Sequence, residues 1–166
     1  MAFTFTTLKT AIQDYTDNAE STFVSQLTRF ILNAEERILK ECQLEDFRKN
    51  VTGSATQSSK FLTKPTDFLA PFSLSALNYT MELHYFYRPQ SITASSDGTS
   101  YLGTNAELCL LYGSLVEAYT FMKGEPDLLQ LYNARYMESL QWLKNLGEAE
   151  QTHDQYRYDS IRKPPQ

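Results

Sequence analysis

The chain has 166 residues and a mass of 19.1 kDa, enough to bury a hydrophobic core without a disulfide or metal to staple it. Its 42% hydrophobic and 21% charged residues exclude a wholly disordered chain, and no apolar run approaches the ~20 residues of a membrane span. Fifteen Lys and Arg against twenty Asp and Glu leave a net charge of −5, the wrong balance for a protein that grips nucleic-acid phosphates.

Met1 to Thr6 carries neither a charged n-region nor an apolar h-region, so no secretory signal is expected there. A soluble intracellular or particle-associated protein is the expectation. The sequons Asn50-Val51-Thr52 and Asn78-Tyr79-Thr80 are accordingly expected to stay unmodified.

A first short helix is predicted over about 7–16, capped by Thr6 or Thr7, with Leu8, Ala11, Ile12 and Tyr15 recurring every three or four residues. A long amphipathic helix follows over about 22–43. Its apolar stripe is Phe23, Val24, Leu27, Phe30, Ile31, Ala34, Ile38 and Leu39, and Glu35, Glu36, Arg37 and Lys40 form the solvated face. From 47 to 89 the period changes. Val51 to Thr56 reads as a turn-rich stretch, and Thr80 to Arg88 alternates as a strand should. Pro65, Pro71 and Pro89 forbid a long helix through this region, and Ser95 to Ser100 reads as a loop.

Thr104-Asn105-Ala106-Glu107 has the form of a capping box and predicts a helix over about 104–123, stopped by Gly124 and Pro126. Leu108, Leu111, Tyr112, Leu115, Ala118, Tyr119 and Met122 fall on one of its faces. A last helix over about 127–146 carries Leu128, Leu131, Tyr132, Ala134, Arg135, Leu140, Leu143 and Leu146, and Gly147 closes it. The short connection makes these two an antiparallel hairpin. The predicted fold class is therefore mainly α: a bundle of about four helices with a C-terminal helix hairpin, a small β insertion in the middle and an extended C-terminal arm. Residues 1–147 read as one domain and 148–166 as the arm.

Little in the chain suggests chemistry. Cys42 and Cys109 lack a CxxC spacing or a neighbouring base and read as small buried thiols. His84, on the strand, and His153, in the polar tail, have no second ligand at metal spacing, so no metal, cofactor or catalytic residue is expected. Glu35-Glu36 and Glu45-Asp46 point in different directions as helical neighbours and make poor carboxylate pairs. No enzyme activity is expected. Eleven Tyr, ten Phe and one Trp fit core and subunit-interface material better than a base-stacking groove, because the basic groove is missing. Beyond Gly147 only Ala149 and Ile161 are aliphatic, so the segment cannot bury itself. It reads either as a solvated tail or as an arm whose Tyr156-Arg157-Tyr158 and Ile161-Arg162 are residue types that dominate interfaces.

The ordered set of segments resembles a known family. Leu8-Lys9-Thr10-Ala11-Ile12-Gln13-Asp14-Tyr15 comes first, then Phe30-Ile31-Leu32-Asn33-Ala34-Glu35-Glu36-Arg37-Ile38. Leu62-Thr63-Lys64-Pro65-Thr66-Asp67-Phe68-Leu69 and the strand Met81-Glu82-Leu83-His84-Tyr85-Phe86-Tyr87-Arg88 follow. Tyr101-Leu102-Gly103-Thr104-Asn105-Ala106 and Leu111-Tyr112-Gly113-Ser114-Leu115-Val116-Glu117-Ala118 come last. Over roughly residues 6–146 this is similar to the head-to-tail adaptors of tailed bacteriophages, the group that includes the tail tubular protein A type of short-tailed phages. It departs from them in the short stretch Phe72–Tyr79, which is considerably longer in that group.

The resemblance implies a structural virion protein, assembled in the host cytoplasm and placed in the neck. It would form a dodecameric ring beneath the portal and above the tail nozzle or tail tube protein. Its C-terminal arm would dock on the portal through Tyr156, Arg157, Tyr158, Ile161, Arg162, Pro164 and Pro165. A lumen walled by acidic subunits would let DNA pass without specific binding. The other function class open at this stage is a small cytoplasmic helical regulatory or binding protein.

Overall fold

The computed structural model describes residues 2–42, 44–54, 63–77, 80–95 and 98–161, with 149–161 as backbone. The expected fold class holds: the protein is mostly helical, with a small antiparallel sheet in the middle of the sequence. The chain divides into two compact units. One joins Met1–Cys42 to Gln90–Gln166, and the other, Gln43–Pro89, corresponds to the strand-rich middle.

The helical unit begins with α1 (Phe5–Thr16), whose cap lies slightly upstream of the expected position. Thr4 is the N-cap, and its hydroxyl accepts from Thr7 N–H while the Thr7 hydroxyl accepts from Thr4 N–H, a reciprocal box built from two threonines. Asp17, in the left-handed region at φ 46°, ends the helix. Helix α2 (Ser21–Glu41) buries Phe23, Leu27, Phe30, Ile31, Ala34, Ile38 and Leu39, the stripe expected apart from Val24.

The capping box at Thr104 does not form. Tyr101–Asn105 make a separate short helix, α3, capped by the Ser100 hydroxyl, which accepts from Gly103 N–H at 3.1 Å. Thr104 sits inside that helix and donates to the Ser100 carbonyl, so it is unavailable as a cap. Glycine at 103 lets two chain segments meet. A Cβ there would lie 2.8 Å from the Phe3 carbonyl and 2.9 Å from Ile92 Cδ1, and the Gly103 carbonyl accepts from Phe3 N–H.

Helix α4 (Glu107–Met122) follows the break at Ala106 and is enclosed on almost every side. Cys109, Leu110, Leu111, Gly113, Ser114, Leu115, Val116 and Ala118 are all buried. It packs on α1, α2 and α5. At Gly113 the packing is tight: an added Cβ would meet Ala34 and the Tyr136 ring at 3.2 Å. Lys123, at φ 53°, terminates α4 in place of the expected Gly124.

Helix α5 (Pro126–Ile161) returns antiparallel along α4, as the short connection requires, and buries Tyr136, Leu140 and Leu143. It does not stop at Gly147. Glycine inside a helix costs only about 1 kcal/mol relative to alanine, and Glu148, Ala149, Glu150 and Gln151 are good helix formers with no proline before Pro164. The stretch 148–161, expected to be extended, is therefore helical in its backbone.

The second unit holds three antiparallel strands in the order β1–β3–β2: β1 (Arg48–Ser54), β2 (Phe68–Leu77) and β3 (Thr80–Tyr87). The alternating segment forms a strand, as expected, and the structure places it at the centre of the sheet. Val51 to Ser54, read as turn, instead pair in β1 from Val51↔Leu83 to Ser54↔Thr80, while 55 and 56 lie outside the described residues. Pro71 is tolerated in β2 at a register shift between Pro71 and Ser73. Asp67 closes the start of β2. Its carboxylate accepts from Lys49 Nζ at 2.8 Å and from the Tyr85 hydroxyl at 2.9 Å, and its carbonyl accepts from Arg88 N–H at 2.7 Å.

Candidate functional site

The described residues hold no group of three or more His, Cys, Asp and Glu side chains placed to bind a metal ion. Cys42 and Cys109 are buried free thiols, as expected. Burial pushes Cys42 up to about 11 and Cys109 up to about 12, away from the thiolate a nucleophile needs. His84 is half exposed on β3, 3.7 Å from Glu82.

Glu35 overturns its expected place on a solvated face. It is 5% exposed, and its carboxylate accepts from the Ser91 hydroxyl and, at 2.9 Å, from Ile92 N–H. Burial raises its pKa, and the two hydrogen bonds only partly offset that rise. This side chain fixes the turn at Ile92–Ala94 to α2. Lys40 follows the solvated pattern and pairs with Glu36 at 3.1 Å, whereas Arg37, paired with Glu41 at 3.1 Å, is half-buried with its guanidinium over the Tyr136 ring.

The feature that most resembles a functional surface lies between the start of α4 and the middle of α5. A groove of about 640 Å³ is lined by Leu108, Tyr112, Arg135, Trp142, Leu143 and Leu146, among others. Leu108 is 56% exposed, Leu146 47% and Trp142 75%. Arg135 and Glu138 flank the groove and pair at 3.1 Å. The tyrosines continue the face. Tyr132 lies 5.0 Å from Tyr119, 6.4 Å from Tyr112 and 6.5 Å from Tyr15 between ring centroids. Burial, aided by the Tyr119 hydroxyl, pushes the Tyr132 phenol up to about 12. Exposed tryptophan, tyrosine, leucine and arginine beside a groove suit burial against another protein surface.

Of the residues expected on the arm, Tyr156, Arg157, Tyr158 and Ile161 belong to the last turns of α5. Arg162, Pro164 and Pro165 lie outside the described residues. Leu108, Leu131 and Leu146 fit packed faces by their spacing in the sequence, and the spacing assigns Trp142 no role. The signal available was their position on α5: Leu131 and Trp142 fall opposite Tyr136, Leu140 and Leu143 on a helical wheel. No family model matches the chain, and no curated protein matches it significantly.

Proposed function

We propose that the protein is a head-to-tail adaptor of a tailed bacteriophage, a dodecameric ring that joins the portal to the tail nozzle or tube and lets the genome pass. The observation that carries this reading is the ordered set of segments from Leu8–Tyr15 to Leu111–Ala118. They fall on a helical unit interrupted by an inserted three-stranded unit. The exposed, largely apolar groove between α4 and α5 supports it, as a surface of the kind that another subunit covers.

In this reading α5 presents the C-terminal arm to the portal. Tyr156, Tyr158 and Ile161 bury apolar surface there, and Arg157 and Arg162 meet portal carboxylates. A ring presents many arms at once, so weak individual docking sums to a durable joint. The net charge of −5 per chain keeps the passage from holding DNA phosphates.

The test is to mix the purified chain with portal rings and image the product. A second ring stacked on the portal is the expected result, and a chain lacking 150–166 should stay folded yet fail to join. A full-length chain that ignores portal rings would favour the small helical regulator instead.

A further inference from the structure

The outer face of α5 is self-complementary. Leu131, Arg135, Glu138 and Trp142 follow one another at spacings of four, three and four, so they form a single stripe along the helix. All four are exposed: Leu131 by 50%, Trp142 by 75%, and the Arg135 and Glu138 side chains by 56% and 62%. An identical helix laid antiparallel, with the two-fold axis between Tyr136 and Met137, sets each member against a suitable one. Leu131 meets Trp142 of the second copy, and Arg135 meets Glu138 of the second copy. Symmetry repeats both pairings on the other side of the axis.

We propose that two copies of this chain pair through this stripe, each placing α5 beside the α4–α5 groove of the other. The exposed parts of Leu108, Leu131, Trp142 and Leu146 amount to roughly 500 Å² of largely apolar surface. With Arg135 and Glu138 the face comes to about 800 Å², the share of one partner in an interface of ordinary size. Leu108, Tyr112 and Leu146 line the groove together with Trp142, so the second copy covers a groove that already has apolar walls. The exposed ion pair at the centre of the stripe exchanges partners across the axis, which fixes register and orientation more than it adds strength. This pairing does not rest on the adaptor reading. A two-fold contact closes on itself, whereas a ring requires head-to-tail contacts.

Sedimentation equilibrium of the full chain, from low to high micromolar concentration, should show a mass rising from 19.1 kDa to twice that value. Trp142 is the only tryptophan in the chain, so its emission reports on the face directly. It should shift to shorter wavelength and resist acrylamide quenching over the same concentration range. Arg135→Glu or Glu138→Arg alone sets like charges opposite each other at two symmetric places and should weaken association roughly tenfold or more. The double exchange should restore it. Trp142→Ala should abolish pairing while leaving the helical circular dichroism unchanged.

A mass of 19.1 kDa at every concentration, with Trp142 freely quenched, would overturn the proposal and leave the groove to another kind of partner. So would a dimer indifferent to both Trp142→Ala and Arg135→Glu, or one that the double exchange fails to restore. A large ring with Trp142 still exposed would refute the pairing while sparing the adaptor reading. A two-fold dimer that ignores portal rings would do the reverse.

Discussion

Along the seam between α2 and α4, side chains of every kind are enclosed. Leu27, Ile31, Ile38, Leu110 and Leu115 are fully buried, and Glu35 is held at 5% exposure by hydrogen bonds from Ser91 and Ile92. Along the outer face of α5, leucine and tryptophan stand half or more in water. Large apolar side chains occur in both regions, so residue type does not separate them; what lies over each face does. Helix α4 is covered by α1, α2 and α5, with Gly113 set against both Ala34 and the Tyr136 ring, whereas α5 packs mainly on α4 and keeps one face open. An enclosed seam tolerates a charge only with hydrogen bonds supplied, and an open face tolerates an indole because something else can cover it.

The contrast is broken most severely by Leu111→Asp. Placing an unpaired carboxylate where the native side chain is 4% exposed should destabilise the helical unit by on the order of 4 kcal/mol, read from urea unfolding. An unchanged midpoint would mean that α4 is not enclosed on that side.

Glu35→Gln sharpens the comparison through pH. The folded state binds the Glu35 proton more tightly than the unfolded chain, whose carboxyl titrates near 4.5. Stability from this group is therefore greatest at and below that pH and declines as pH rises through the folded value. Glutamine stays neutral, can accept from Ile92 N–H and can donate to the Ser91 hydroxyl. The variant should melt higher than the parent at neutral pH and lose that advantage toward pH 4.5; a lower melting point at neutral pH would reverse the assignment.

Gly147→Ala tests whether α5 truly continues. Inside a helix the change should stabilise by up to about 1 kcal/mol and raise the helical dichroism. A left-handed cap at that position would make the same change destabilising. The smallest effect belongs to Trp142→Ala, which should leave the stability of the isolated chain within about 0.5 kcal/mol of the parent in dilute thermal melts.

The long α2 stripe and the alternating β3 strand were legible because a single periodicity runs through each without competing signals. Capping was less legible. Thr104-Asn105-Ala106-Glu107 satisfies the pattern of a box, but Ser100 starts a turn of helix four residues earlier and takes the role. Glu35 looked solvated because its neighbours are, and only the turn at Ile92, distant in sequence, supplies the donors that permit its burial. Gly147 looked terminal because glycine usually is, yet nothing beyond it forbids a helix. The groove was the least legible feature. Leu108 and Leu146 match core spacing, and spacing alone does not reveal that the α4–α5 pair leaves them half in water.

The placement of the three-stranded unit within the helical one has a kinetic consequence. The α4–α5 hairpin closes over the residues between Met122 and Pro126, and β2 and β3 pair across a sequence separation of only a few residues, so both nuclei form at little loop-closure cost. Helix α2 reaches α4 only across the whole inserted segment, and β1 reaches β3 only after β2 has been passed. The slow steps are therefore the arrivals of the N-terminal partners on hairpins formed from later sequence. A nascent chain leaving the ribosome holds α1 and α2 with their apolar stripes uncovered until α4 has been synthesised.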